Sequence, residues 1–302
     1  MSPEPYPTPV AVEAAIKDAA RKAAKLEPDR SVGDLIQQAY FDRFLTRLFL
    51  SDGGWMLKGG ASLLARVPAA RSTTDLDLFL KGRGLDDALA ELRAAAGRDL
   101  GDWFRFEYVG HRTTLGGDQQ PYAEGYRVSF EVYIGAARRG RLNVDLVVKV
   151  ATTMPPEVQH PANALDLPRL PSAAYRLYPL VDQIADKACA TLEGHRGRPS
   201  SREKDLVDLV LIAATHDING DQLRIALATE ALMRRLDLPS AFMVPAAWGR
   251  VYAAKAKTIP AIRAYDAAAA RELMAKFLDP VLDGSCVSKM WIADEGAWLL
   301  MP

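Results

Sequence analysis

The spacing of apolar and polar positions changes several times along the chain, and each change marks an element. Residues 10–26 are rich in Ala and Lys and predict a helix. Over 34–50, Leu35, Ala39, Phe41, Leu45 and Leu48 form one apolar stripe, as in a second helix. A break at Asp52-Gly53-Gly54 leads into Trp55-Met56-Leu57, a short apolar run read as a strand. Lys58-Gly59-Gly60 follows, and a helix is expected from Ala61 to Arg66. Leu76, Leu78, Phe79 and Leu80 outline a strand that carries Asp75 and Asp77. A helix over 85–96 and a strand over 104–109 come next. Tyr126, Val128, Phe130, Val132 and Ile134 then alternate with Arg127, Ser129, Glu131 and Tyr133, which is strand periodicity. Residues 135–140 are read as a turn bearing Arg138 and Arg139. Leu142, Val144, Leu146 and Val148 alternate again, with Asn143 and Asp145 on the other face.

Six prolines between 153 and 179 mark a long connection, with the domain boundary placed near 172. Beyond it the periodicity is helical over 180–194, 202–216, 221–235, 240–256 and 260–278. The interleaved strands and helices of the first half make the expected fold class α/β or α+β. Strands and helices share residues 1–172, and a helical domain occupies 173–302.

Composition narrows the function classes. The chain has 302 residues, 49% of them apolar and 25% charged, a globular profile. Lys+Arg and Asp+Glu both number 38, so a globally basic wrapper of nucleic acid is excluded while local basic patches remain open. No apolar run reaches the ~18 residues of a membrane helix, so no membrane partner is expected. MSPEPYPTPV lacks the basic-then-apolar order of a secretory signal, and the expected location is cytoplasmic. Two cysteines without C-x-x-C and four scattered histidines argue against a disulfide framework and a thiolate zinc site. Trp248, Trp291 and Trp298 are read as core rather than base-stacking residues.

The chemistry concentrates at Asp75-Leu76-Asp77. In a strand, residues i and i+2 face the same way, so both carboxylates point to one side. They repel unless a cation lies between them, and a hard divalent cation such as Mg²⁺ (or Mn²⁺) suits oxygen ligands. Alone, this text also describes a solvated strand face. Two further features stand with it. Lys58-Gly59-Gly60 falls at a strand-to-helix turn, where backbone N–H groups approach a phosphate closely. Asp145 sits within an otherwise aliphatic strand.

Together these features resemble the DNA polymerase β-like nucleotidyltransferase superfamily. More closely, MLKGGASLLARVPAARSTTDLDLFL at 56–80, LNVDLVV at 142–148, Lys187 and SREKDLVDLV at 201–210 resemble the AbiEii/AbiGii-type toxins, including the mycobacterial nucleotidyltransferase toxins. The turn reads Gly59-Gly60 where the superfamily favours Gly-Ser. The resemblance implies the α+β class: a polymerase β-like domain, a mixed sheet with flanking helices, joined to a helical C-terminal domain, with the active site in the cleft between them. It implies two Mg²⁺ ions on Asp75, Asp77 and Asp145, with Asp145 also helping to activate the acceptor hydroxyl. Lys58, Gly59, Gly60, Ser72 and Thr73 would face the nucleotide. It further implies a toxin–antitoxin pair with a cognate antitoxin. Its reaction would be NMP transfer from an NTP to the 3′ end of tRNA, blocking aminoacylation and translation, in growth control or phage defence. A pyrimidine nucleotide follows from the mycobacterial relatives; the residues leave the base open.

In the second half, Leu180, Ile184, Lys187 and Thr191 share one helix face. A lysine on that stripe either snorkels to the surface or, as the resemblance implies, contacts the triphosphate. Arg202, Asp205 and Asp208 form a polar ridge on the next helix. The resemblance brings Arg202 to the nucleotide and one of the two acids, Asp205 by preference, to the site as a partner of Lys187, the base or the acceptor. Ser200 with Glu203 fits a capping box. Arg138 and Arg139 at the hairpin, with Arg196, Arg198 and Lys204, are candidate RNA contacts. Ser72, Thr73 and Thr74 precede the acids, and a phosphoryl group on one would oppose Mg²⁺–nucleotide binding. Two alternatives stay open: the same fold modifying a protein hydroxyl with AMP or UMP, and a non-catalytic partner- or RNA-binding scaffold.

Overall fold

The computed structural model describes residues 4–27, 29–51, 53–115, 125–193 and 202–301. They fall into two compact units. The first comprises Met1–Pro68, Ser72–Val150 and Pro156–Leu177; the second comprises Ala69–Arg71, Ala151–Pro155 and Tyr178–Pro302.

The first unit opens with two capped helices. In α1 (Pro9–Leu26) the Thr8 hydroxyl accepts from the Ala11 amide at 3.2 Å, and Pro9 occupies the first turn. In α2 (Val32–Phe49) the Ser31 hydroxyl accepts from the Asp34 amide at 3.0 Å. There follow β1 (Trp55–Lys58), α3 (Gly59–Arg66), β2 (Asp75–Leu80), α4 (Leu85–Ala96), β3 (Phe104–Leu115), β4 (Gly125–Ile134), β5 (Ala137–Val147), β6 (Glu157–Gln159) and β7 (Tyr175–Leu177). The strands form one mixed sheet in the order β3-β4-β5-β2-β1-β7-β6. The β2–β5 and β1–β7 pairs are parallel and the others antiparallel.

One face of this sheet carries the core. Leu76, Leu78 and Leu80 of β2, Val128, Phe130 and Val132 of β4, and Leu142, Val144 and Leu146 of β5 cluster with Ile16 of α1, Phe44 and Leu48 of α2, and Leu92 of α4. Burying those aliphatic rows fixes the register, because a one-residue slip would exchange the faces. It leaves Asp75, Asp77, Arg127, Asn143 and Asp145 half-buried on the opposite face.

α2 is also tied to the start of β3 by a buried ion pair. Arg47, with no exposed surface, donates to both oxygens of the buried Asp102, at 2.9 and 2.5 Å. It donates further to the carbonyls of Arg98 and Phe104, each at 2.9 Å.

In the second unit lie α5 (Leu180–Leu192), α6 (Glu203–Thr215), α7 (Gly220–Arg234), α8 (Gly249–Ala256) and α9 (Ala267–Leu282). The stretch Leu206–Val207 and Leu209–Ala213 of α6 is buried on all sides, as in a central core helix. Trp291 donates its indole N–H to the Ala213 carbonyl at 2.7 Å and packs against the rings of Phe277 and Trp298. Trp248 is buried as well, so these tryptophans serve the core as expected.

Three expectations about local structure are corrected. The turn over 135–140 shrinks to Gly135-Ala136; β5 begins at Ala137, and Arg138 and Arg139 lie in the strand. The proline-rich connection contributes β6 and β7 to the sheet edge, in pieces short enough to fit between prolines. The C-terminal unit is helical but adds an antiparallel sheet of β8 (Ile218–Asn219), β9 (Lys289–Ile292) and β10 (Ala297–Leu300), whose two- to four-residue strands show no readable period. No helix among the described residues is long and apolar enough to cross a membrane.

Replacing Asp102 with Ala leaves the Arg47 guanidinium buried without its counter-ion. We expect a loss of about 3–5 kcal/mol in urea unfolding, the range for breaking one side of a buried ion pair.

Candidate active site

The paired acids sit in β2, where alternation sends Leu76 and Leu78 into the core and Asp75 and Asp77 to the opposite face. Parallel pairing with β5 sets Asp77 opposite Asp145 and Asp75 opposite Asn143. On the far side, β1 sets Lys58 opposite Asp77. Beyond β5, β4 sets Arg127 opposite Asp145, and β3 sets Arg112 opposite Arg127. Residues directly opposite each other share a face. One register row therefore crosses five strands as Arg112, Arg127, Asp145, Asp77 and Lys58.

The glycine turn lies against this row. β1 ends at Lys58 and α3 begins at Gly59, so both glycines belong to the first turn of the helix rather than preceding it. Gly59 has φ +63°, in the left-handed region. A Cβ there would lie 1.9 Å from Asp77 Oδ2. Glycine is required twice over, by backbone conformation and by room for the carboxylate. The first-turn N–H groups of α3 thus begin beside Asp77.

Arg127 joins the acids. Its Nη2 donates to Asp75 Oδ1 at 2.5 Å, and its Nη1 donates to the Asp145 oxygens at 3.1 and 3.3 Å. The hydrogen bond to Asp75, with the surrounding carboxylates, raises the guanidinium pKa further. Burial lifts the Asp145 carboxyl above its usual range, against the pull of Arg127 and with the push of Asp75. Just upstream, the Thr73 hydroxyl donates to the Asp75 carbonyl at 3.1 Å and the Thr74 hydroxyl to Asp75 Oδ2 at 3.2 Å. Ser72 is exposed. Gly60 is buried in α3.

A second charged cluster is built within the second unit. Lys187 of α5 is buried, and its Nζ donates to Asp205 Oδ1 and Asp208 Oδ2, each at 2.7 Å. Asp208 has no exposed surface and also accepts a fork from Arg71, at 2.8 and 2.7 Å. Exposed Arg202 lies 3.6 Å from Asp205. Burial works against the Lys187 ammonium, but Asp205 and Asp208 outweigh it and hold its pKa above the ordinary lysine value. Burial likewise opposes the Asp208 carboxylate, and Lys187 with Arg71 outweighs it, so Asp208 stays below the usual range. Lys187 does not snorkel, and both acids, not Asp205 alone, partner it.

Among the candidate RNA contacts, Arg138 pairs with Glu131 at 3.0 Å and Arg139 pairs with Glu13. Lys204 is exposed. Arg196, Arg198 and the Ser200 cap lie outside the described residues. Arg127, Arg71 and Arg112 carry no motif that singles them out. Alternation places Arg127 on the polar face, but its partners follow only from strand register.

Residues 43–284 match the model of a family described as AbiEii, the nucleotidyl transferase AbiEii toxin of type IV toxin–antitoxin systems. Among solved structures, MenT4, a nucleotidyltransferase toxin from Mycobacterium tuberculosis H37Rv, is similar at 19% identity and a TM-score of 0.51, over 87% of this chain and 89% of that one. JHP933 from Helicobacter pylori is similar at 14% identity and a TM-score of 0.45, over 84% of this chain and 94% of that one. No curated protein matches. The MenT4 likeness supports the expected α+β nucleotidyltransferase fold.

Two substitutions probe the two clusters. Gly59→Ala forces a side chain onto a left-handed backbone and into Asp77, and should cost about 1–3 kcal/mol in denaturant unfolding. Asp208→Asn removes a depressed carboxyl. The wild type should lose stability as pH falls below about 4, where unfolded Asp takes up its proton. The variant, already less stable at neutral pH, should show a shallower acid limb in pH-dependent melting.

Proposed function

Since the chain belongs to the AbiEii family of nucleotidyltransferase toxins of type IV toxin–antitoxin systems, we propose that it transfers a nucleoside monophosphate from an NTP to the 3′ end of tRNA. It is a nucleotidyltransferase toxin with a cognate antitoxin; the acceptor, the metal and the base are the proposal. The observation that carries it is the in-register row that faces Asp75, Asp77 and Asp145 together beside the Gly59 turn.

The carboxylates fit a divalent metal by chemistry. They supply only hard oxygen donors, which suit Mg²⁺ or Mn²⁺, and the guanidinium on Asp75 and Asp145 marks how strongly the group calls for positive charge. Among the described residues, no three His, Cys, Asp or Glu side chains are gathered closely enough to hold a metal as they stand. Asp75, Asp77 and Asp145 would hold the ions. A bound divalent cation there would favour the ionised acceptor hydroxyl and offset charge on the departing pyrophosphate.

The chain's own groups then divide the work. Lys58 and the first-turn N–H groups at Gly59 and Gly60 bind phosphate, as helix N-termini do. The acceptor oxygen forms its bond to the α-phosphorus while the bond to the pyrophosphate oxygen breaks, and the hydroxyl proton leaves with help from Asp145. For Lys187 we propose a charge directed to the triphosphate, supported by an ammonium that Asp205 and Asp208 keep protonated. Blocked 3′ ends can no longer be aminoacylated, so translation stops. A pyrimidine nucleotide is the proposed donor.

The test is incubation with Mg²⁺, total tRNA and each α-³²P-labelled NTP in turn, with Asp77→Ala alongside. We expect label in tRNA from CTP or UTP, and a loss of at least about 10²-fold in the variant, as for removal of a group central to the transition state. Label in protein instead would establish AMP or UMP transfer to a protein hydroxyl and overturn the tRNA acceptor.

A further inference from the structure

The charge row contains an arrangement that the transfer reaction alone does not require. Arg127 and Arg112 stand opposite each other on β4 and β3, and like charges so placed repel. Arg127 escapes by leaning the other way, onto Asp75 and Asp145. The Arg112 side chain is exposed and makes no hydrogen bond or close ion pair with the described residues, though its charge reaches Asp145. Arg127 is itself 27% exposed. Its backbone is pinned by strand register, while its side chain has the length and the open side to turn.

The charges nearest the paired acids also balance. Asp75, Asp77 and Asp145 stand against Arg112, Arg127 and Lys58. Adding a divalent cation alone leaves a partly desolvated face with two excess positive charges and an evicted guanidinium facing Arg112. Adding a nucleotide alone brings polyphosphate against three carboxylates. Adding both gives every charge a partner, because the evicted guanidinium gains an anion. Two arginines side by side present planar forks that match phosphate oxygens.

We propose that Arg127 is an exchangeable counter-ion: it holds Asp75 and Asp145 in the empty enzyme and passes, together with Arg112, to a substrate phosphate when a divalent cation takes the carboxylates. This assignment rests on the metal-dependent reading above. Its consequence is mutual dependence. Metal binds weakly alone and tightly with nucleotide, so the empty site resists occupation by either ligand by itself.

The experiment titrates Mn²⁺ into the EDTA-treated full-length protein and follows free Mn²⁺ by its electron paramagnetic resonance signal, with and without an α,β-methylene NTP. Wild type, Arg127→Gln and Asp77→Ala are compared, with folding checked by circular dichroism. Without nucleotide, Arg127→Gln should bind Mn²⁺ about tenfold more tightly than wild type, as expected for removal of one competing charge. With the analogue, wild type should gain affinity more than tenfold and Arg127→Gln little or none. Equal affinities of the two proteins without nucleotide, or an equal gain with it, would overturn the exchange while leaving metal dependence standing. Absence of Mn²⁺ binding by wild type in both conditions, indistinguishable from Asp77→Ala, would overturn the metal-dependent reading and the exchange with it. Should Arg127→Gln fail to fold, Arg127→Lys, which keeps the charge and loses the fork, should retain weak metal binding alone and lose part of the gain with nucleotide; an undiminished gain would overturn the role of the fork.

Discussion

Repulsion between carboxylates on one face of a sheet is the constraint around which the first unit is arranged. Parallel pairing of β2 with β5 sets Asp77 opposite Asp145, with Asp75 two residues along. Such a cluster is costly unless cations accompany it. Leu76, Leu78, Val144 and Leu146, all without exposed surface, hold the two strands in that register from the other face. Apolar burial thus supplies the free energy that keeps the acids together. Arg127 supplies the charge, and Gly59 supplies the space for Asp77. Each of these is answerable to the carboxylates rather than to the fold in general.

The second unit solves a related problem under stronger burial. Lys187 and Asp208 are nearly or fully excluded from water, where an unpaired charge would be severely penalised. Two acids and two cations, Lys187 and Arg71, satisfy one another at 2.7–2.8 Å. Arg71 comes from a three-residue segment that belongs to this unit although its sequence neighbours belong to the other. The difference between the clusters lies in exposure. Asp75 and Asp145 are about a quarter to a third exposed, and Asp77 is half-buried. The Lys187 cluster is nearly excluded from water, and its two acids keep the ammonium charged.

What could be read in the chain follows the same division. Asp75, Asp77 and Asp145 were legible because period-2 alternation assigns faces from a single strand. Gly59 was legible because a glycine pair between an apolar strand and a helix has few structural uses. Arg127 was not, although alternation placed it on the correct face, because its partners come from two other strands and register is a property of the assembled sheet. Arg71 was hidden for a similar reason: nothing local links a loop arginine to an aspartate in α6. The short strands β6 to β10 escaped because two to four residues cannot establish a period. Asp205 and Asp208 looked like alternatives on a solvated ridge; α6 is instead buried, so the ridge faces inward and both acids are engaged.

The two clusters also differ in what they ask of a ligand. In the second, Lys187 is already paired with two acids within the fold, so a ligand anion meets an ammonium whose charge is preset. In the first, neutrality is reached with a side chain that is long, partly exposed and placed beside a second arginine. A face whose cation is tethered only through flexible methylenes can trade that cation for another without dismantling the sheet. The strand register holds the carboxylates in place whether the counter-charge comes from Arg127 or from a metal. That separation, a rigid anionic row with an interchangeable cation, lets one surface be stable when empty and chemically competent when loaded.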